Sequence, residues 1–307
     1  MNTAPRSEAP RALITGLRGF TGAYLARELT QSGYRVFGTA HAGERVGQDV
    51  FEADLCDRAR LREVIRDVQP NVVAHLAGIA FVGHGDANAI YNVNLLGTRN
   101  LLSELAESPV VPSAVLLASS AQVYGTTAVE PIDESVPTVP QNDYAVSKLA
   151  MEQMARLWFD RLPIVIARPF NYTGFGQSVE FLLPKIVSHF AAGLREIELG
   201  NLDVERDFSD VRMVAAAYRR LIELAPAGEV FNICSGTAAS LSDVLEIVSR
   251  RAGYEIGVRV NPAFVRANDV KRQVGSCRKL IDAIGGLPDI SLAETLTWMY
   301  EADLAAR

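Results

Sequence analysis

A doubly wound parallel α/β sheet followed by a smaller α+β carboxy-terminal part is the fold that the 307-residue sequence predicts. Three observations carry it. Short aliphatic and β-branched runs alternate with helical apolar periodicity through the first half of the chain. A glycine-rich turn, 16-GLRGFTG-22, joins the first run to the first helical pattern. The composition, 49% hydrophobic and 21% charged, belongs to a globular chain that buries a large core.

The predicted strands are 11-RALIT-15, 34-YRVFGT-39, 72-VVAHL-76, 113-SAVLLA-118 and 163-PIVIA-167. Helices fill the gaps at about Phe20–Ser32, Asp57–Val68, Ala87–Ala106 and Asp143–Arg161. After Ala167 the rhythm changes, and 168-RPFNYTGFGQ-177, with a proline and two glycines, reads as a long functional loop. Beyond it come a helix near Val179–Ala192, a polar stretch 200-GNLDVERDF-208 and a helix near Asp210–Leu224. A strand 229-EVFNIC-234 and a mixed remainder containing the strand 255-EIGVRV-260 complete the chain.

Composition excludes several functions. Thirty basic against 36 acidic residues leave a net charge of −6, so no global basic field recruits nucleic acid or anionic lipid. Cys56, Cys234 and Cys277 lack the spacing of a disulfide framework or zinc ribbon, which predicts a reducing cytoplasm. No signal peptide is expected in MNTAPRSEAP, and the longest apolar stretch, 72-VVAHLAGIAFVG-83, is too short and interrupted to span a membrane. His41, His75, His84 and His189 have no metal-ligand spacing, and no metal is expected.

In the glycine turn, Gly16, Gly19 and Gly22 let the backbone turn tightly and approach a pyrophosphate. The start of the following helix, at Phe20 and Thr21, offers N–H groups and a partial positive charge. A dinucleotide-binding domain over residues 1–167, with a return near 208–235, is therefore expected. Residues 168–207 and 236–307 then form a substrate-binding domain. The second strand lacks the acidic residue that grips an NAD ribose, since 36-VFGTAHAGER-45 has none before Glu44. Arg18, His41 and Arg45 leave positive charge for a 2′-phosphate, which ranks NADP(H) ahead of NAD(H). The alternative is that these cations are only solvated.

In 143-DYAVSKLAMEQ-153, Tyr144 and Lys148 are four apart on one helix face, where an ammonium lowers the tyrosine pKa and lets it exchange a proton near neutrality. Tyr144 follows Ser120 of 119-SSAQVYG-125 by 24 residues. Ser120 lies at the carboxyl end of a strand, beside the cofactor crevice of such sheets; Ser119 is expected only to satisfy the strand-end backbone. Glycines at intervals of three, together with this Ser, Tyr and Lys, resemble the extended short-chain dehydrogenase/reductase family, with its Rossmann-type fold. That resemblance implies Ser120, Tyr144 and Lys148 as catalytic residues. It also implies Asp54 and Leu55 of 53-ADLCD-57 at the adenine, and Leu76, Ala77 and Gly78 of 75-HLAG-78 under the cofactor. Asn94 of 91-YNVNLLGT-98 matches the family's Asn-x-x-Gly-Thr element, as a structural polar group near the active site, with Thr98 beside it.

Within the family, sugar-nucleotide dehydratases carry acidic groups after the catalytic hydroxyl. Ala121 and Gln122 stand there, and an amide does not exchange protons near neutrality. Gln122 is instead a substrate-binding candidate. The segments 168-RPFNYTGFGQ-177 and 203-DVERDFSDV-211 resemble those of GDP-4-keto-6-deoxy-D-mannose reductases, implying Asn171 and Arg206 at a diphosphate. Similarly, 265-VRANDVKRQVGS-276 resembles the family's Arg-x-x-Asp motif and nominates Arg266, with Asp269 orienting a partner. Lys185 is a further candidate. Against these readings, Arg206 between Glu205 and Asp207 could form a local ion pair, and Arg266, Lys271 and Arg272 could be a solvated helix face.

The resemblance implies NAD(P)H-dependent reduction of the C4 ketone of a GDP-4-keto-6-deoxyhexose to a GDP-6-deoxyhexose such as GDP-D-rhamnose. A 4-epimerase retaining NAD and a non-catalytic nucleotide-sugar or dinucleotide-binding regulator are the alternatives. Ala87–Ala106 and Asp143–Arg161 could pair with a second copy in a four-helix contact, by analogy with relatives.

Overall fold

The computed structural model describes residues 9–41, 43–44, 47–80, 85–200, 204–224, 226–262 and 271–307. The chain forms two compact units. The first comprises Met1–Val123, Pro140–Ala167 and Tyr218–Val230; the second comprises Tyr124–Val139, Arg168–Ala217 and Phe231–Arg307.

In chain order the first half runs β1 (Arg11–Thr15), α1 (Phe20–Gln31), β2 (Arg35–Ala40), β3 (Val50–Glu52), α2 (Arg58–Val68), β4 (Val72–His75), α3 (Ala87–Tyr91), a π-helical turn (Asn92–Gly97), α4 (Thr98–Glu107), β5 (Ala114–Ala118), α5 (Asp143–Ala155) and β6 (Ile164–Pro169). It continues with β7 (Asn171–Thr173), α6 (Leu182–Ala191), β8 (Glu196–Leu199), β9 (Glu205–Asp210), α7 (Val211–Leu224), β10 (Val230–Ile233), β11 (Ala238–Ser240), α8 (Leu241–Ala252), β12 (Gly257–Val260), β13 (Arg272–Gln273), α9 (Arg278–Ile284) and α10 (Leu292–Ala306).

The main sheet has the order β10-β6-β5-β4-β1-β2-β3, with the chain reversing direction of growth at β1 and β4. Its pairs from β3 through β6 are parallel. β4 and β5 are apolar and buried along nearly their whole length, as strands covered on both faces must be. α2 shows how the sequence makes such a cover. Asp57 caps it by accepting from the Arg60 N–H, and Leu61, Val64, Ile65 and Val68 form one buried stripe. That stripe joins Leu13, Val73, Val115, Leu102, Leu105 and Met151 in a continuous core. Truncating any of these leucines to alanine costs about 2–5 kcal/mol.

The expected helix Ala87–Ala106 is present, but Asn92–Gly97 is wound one residue wider. Asp143–Arg161 is shorter than expected: α5 ends at Ala155 and a 3-10 turn, Arg156–Trp158, follows. β3, β7, β8, β9, β11 and β13 were not expected, being short or polar. The loop predicted at 168–177 thus begins with the end of β6 and contains β7.

The second unit has its own core, built from Leu183, Ile186, Val187 and Phe190 of α6, Val244 and Val248 of α8, and Leu296 and Met299 of α10. α8 and α10 start in capping boxes, Ser240 with Asp243 and Ser291 with Glu294. A small sheet places β9 between β11 and β13, with β7 pairing β9 as well; β8 pairs β12 separately. Residues 124–139, which the sequence division left in the first domain, pack with the second unit. The reason is backbone pairing: Ile132 bridges Gly275, and the Asn232 side chain donates to the Ile132 carbonyl at 3.0 Å. Among the described residues no helix is long and apolar enough to cross a membrane.

Candidate active site

The glycine turn leaves β1 with Gly16 at φ +72°, a conformation that favours glycine. A Cβ on Gly22 would lie 2.3 Å from the Gly16 carbonyl oxygen, so α1 starts flush against the turn only because that side chain is missing. Gly19 precedes α1 and no side chain caps this helix, whereas Asp57, Asn142, Ser240 and Ser291 cap α2, α5, α8 and α10. A bare, positively polarised helix start is what a pyrophosphate requires. Phe20 and Thr21 open that helix, half-buried, and Arg18 stands exposed in the turn.

His41 is exposed just beyond β2. Its backbone N–H donates to Glu44 Oε2 at 2.8 Å, so a carboxylate absent from the strand itself returns to the strand's end. Asp54 is exposed and its Oδ1 accepts from the Cys56 N–H at 2.8 Å. The Leu55 side chain is part of the core beneath Gly97, leaving backbone as the portion able to meet a ligand.

At the end of β4 a buried hydrogen-bond chain fixes the next segment. The Ala77 N–H donates to Thr15 Oγ1 (3.2 Å), which bonds His75 Nδ1 (2.7 Å); His75 Nε2 bonds Thr98 Oγ1 (2.8 Å), and that hydroxyl donates to the Asn94 carbonyl (2.7 Å). Because Thr98 spends its one proton on Asn94, His75 must donate through Nε2 and accept through Nδ1. Burial, reinforced by the Lys148 charge, drives the imidazole pKa down to about 3, keeping the ring neutral. Leu76 donates its N–H to the Thr15 carbonyl, and Gly78 lies exposed beyond it. Asn94, at the centre of the π turn, is buried: its amide donates to Ser147 Oγ at 3.0 Å and to the Ile79 carbonyl at 3.1 Å, and its oxygen accepts from the Ile79 N–H at 2.9 Å. A Cβ on Gly78 would meet Asn94 Oδ1 at 2.9 Å and Lys148 Nζ at 3.4 Å, so Gly78 admits both groups to one spot.

α5 brings Tyr144 and Lys148 to the carboxyl end of β5. Asn142 caps the helix, accepting from the Ala145 N–H at 2.9 Å, and gives an N–H to Gln122 Oε1 at 3.3 Å. Lys148 Nζ donates to the Ala118 carbonyl at 2.8 Å and lies 6.0 Å from the Tyr144 ring centroid. Burial lowers the ammonium pKa to about 8, against the raising effect of Glu152. Ser120 is buried at the strand end; its Oγ accepts from the Gln122 N–H at 3.2 Å, which leaves the hydroxyl proton for another acceptor. Ser119 does not merely satisfy the strand end. Its N–H pairs with the Ala167 carbonyl, but its hydroxyl donates to the carboxylate of Glu152, fully buried one turn beyond Lys148. Glu152 and His75 were not singled out in the sequence. The spacing Lys148–Glu152, four residues on one helix face, was the available signal for the former.

Within the second unit, Asn171 pairs with Phe208 and Arg206 sits two residues earlier on the same strand, so the period of two puts both on one face of the small sheet. Arg206 donates to the Glu205 carbonyl at 2.9 Å, while Arg272 forms the surface ion pairs, with Glu130 and Glu205. Lys185 donates to the Glu198 carbonyl at 2.8 Å and lines a surface hollow with His189 and Arg259, away from the Asn171–Arg206 strands. Arg266 and Asp269 lie outside the described residues.

The sequence model of the NAD dependent epimerase/dehydratase family matches residues 12–234. The chain belongs to that family. As in its relatives, the cofactor of this family member is a nicotinamide dinucleotide, NAD(P), and the uncapped start of α1 with its missing Cβ atoms fits that group. GDP-6-deoxy-D-talose 4-dehydrogenase of Aggregatibacter actinomycetemcomitans is 33% identical over 90% of this chain and 91% of its own. GDP-6-deoxy-D-mannose reductase of Pseudomonas aeruginosa is 34% identical over 93% and 94%. Among solved structures, one from Burkholderia cenocepacia J2315 is 53% identical with a TM-score of 0.92, covering 96% of this chain and 98% of its own. RMD from Pseudomonas aeruginosa, complexed with NADPH, is 32% identical with a TM-score of 0.86, covering 97% and 100%.

Proposed function

We propose that this protein reduces the C4 ketone of a GDP-4-keto-6-deoxyhexose, yielding a GDP-6-deoxyhexose such as GDP-D-rhamnose. The observation that carries this reading is the meeting of Ser120, Tyr144 and Lys148 at the end of β5, with Ala121 where a dehydratase needs an acid. The names of the two curated relatives support the sugar nucleotide class.

When bound, the dihydronicotinamide supplies a hydride. Tyr144 gives its phenolic proton to the developing 4-alkoxide, and Ser120 donates its free O–H to the same oxygen. Lys148, anchored on Ala118, compensates the tyrosinate left behind and presents its remaining protons to a ribose. Gln122 holds Asn142, the cap of the Tyr144 helix. Asn171 and Arg206 bind the diphosphate, Arg206 as a charge-assisted donor.

A second reading has one observation in its favour. The Glu44 carboxylate at the end of β2 suits an NAD ribose, and hence a 4-epimerase that retains NAD. Incubation with GDP-4-keto-6-deoxymannose and NADPH or NADH distinguishes them. Stoichiometric loss of reduced-cofactor absorbance is expected; NAD released only on denaturation, with hexose interconversion and no net redox, would replace the reductase by the epimerase. Binding without turnover would leave a binding module. A homodimer through the Ala87–Glu107 and α5 helices fits the exposure of Leu96 (48%), Val146 (38%) and Leu157 (77%), and sedimentation at varied concentration tests it.

A further inference from the structure

Two of the three cysteines meet inside the second unit. Cys234 follows β10 and is buried, and Cys277 precedes α9, half-buried. Asp207, a buried carboxylate of β9, draws their segments together. Its Oδ2 accepts from the Gly236 N–H at 2.8 Å and from the Gly275 N–H at 3.2 Å. The residue two beyond one cysteine and the residue two before the other therefore bind the same oxygen atom. Gly275 has no side chain where a Cβ would lie 2.7 Å from Cys234 Sγ, and this lets the sulfur rest against the 275–277 segment.

The two thiols also interact directly. Hydrogen bonding with Cys234 holds the Cys277 thiol down to about 7, although burial, Asp207 and Glu134 oppose this. The same bond, with burial and the Asp207 charge, pushes the Cys234 thiol up. Cys56, although the exposed cysteine, has its thiol raised by partial burial and by Asp54. The accessible thiol is thus the poor nucleophile, and the half-buried one stands beside a partner.

We propose that Cys234 and Cys277 form an oxidative modification site, Cys277 attacking a hydroperoxide and Cys234 resolving the product to a reversible disulfide. In the first step the Cys277 sulfur bonds the peroxide oxygen, the O–O bond breaks and water leaves, giving a sulfenic acid two electrons more oxidised. In the second, the Cys234 sulfur bonds the Cys277 sulfur and expels the sulfenic oxygen, which departs with the Cys234 proton as a second water. Two thiols and one hydrogen peroxide give one disulfide and two waters. The cross-link ties the end of β10 to the start of α9.

The test uses the full chain with NADPH bound, exposed to stoichiometric hydrogen peroxide, alkylated and mapped by mass spectrometry. A Cys234–Cys277 linked peptide is expected, reversed by dithiothreitol, with Cys56 still alkylated. Before oxidation, Cys277 should alkylate at pH 7 about tenfold faster than Cys56. Cys234→Ser should halt the reaction at a dimedone-reactive Cys277, and Cys277→Ser should leave Cys234 reduced. The proposal is overturned if the wild-type chain yields no linked peptide while Cys56 oxidises, or if Cys277 proceeds to the sulfonic acid unlinked.

Discussion

The Lys148 ammonium donates to the carbonyl oxygen of Ala118 at 2.8 Å, and through that bond the helix carrying Tyr144 is fastened to the strand that ends beside Ser120. A cation so placed is held by backbone, which does not titrate, so its charge state depends on burial and neighbours.

That charge state sets a pH limit. Burial places the Lys148 pKa near 8, so the group is charged below this value and neutral above it. Affinity of the free protein for NADPH should weaken as pH rises through about 8, by at most roughly tenfold per unit. Lys148→Met should bind weakly at every pH and lose the inflection; cofactor fluorescence titrations measure both.

Glu152 raises the Lys148 pKa from within the core. Glu152→Gln keeps an acceptor for the Ser119 hydroxyl but removes the charge, and it should move the inflection to lower pH. A midpoint that stays in place would assign Glu152 a packing role alone.

Tyr144→Phe should lower the rate of cofactor oxidation by about 10²–10⁴-fold, and Ser120→Ala by about 10²–10³-fold, with NADPH affinity nearly unchanged. Stopped-flow single turnovers separate these rates from binding. Full activity in Tyr144→Phe would falsify the proton-donor assignment.

His75 gives a signal of its own. The fold holds its pKa near 3 while an unfolded chain offers about 6.5, so the unfolded state alone takes up the proton between these values. The contribution to stability is full above pH 6.5 and is lost as pH falls towards 3, at about 1.4 kcal/mol per unit. Urea titrations should show this slope diminished in His75→Gln, and nitrogen NMR of the wild type should find the proton on Nε2 throughout.

Much of this arrangement was legible in the residues. Leu13, Val73 and Val115 sit in runs apolar enough to be buried on both faces, and Gly16, Tyr144 and Lys148 occur at spacings that chemistry constrains. β9 escaped because its alternation is inverted relative to hydropathy: Asp207 and Ser209 face inward while Phe208 is less buried. Ser119 was misread because its partner Glu152 lies 33 residues away, and Glu44 because a turn carries it back to His41. Ile132 joined the second unit through hydrogen bonds to Val274 and Ser276, which local pattern cannot foresee.

The wide turn at Asn92–Gly97 has a consequence for protein engineering. Each residue advances a regular helix by about 100°, so the one extra residue in the turn sets the phase of everything after it. Deleting a single residue there would restore a uniform winding and swing Leu101, Leu102 and Leu105, all buried, out of alignment with their core. A deletion scan across Ala87–Glu107 should therefore find intolerance that point substitution at the same exposed positions does not reveal.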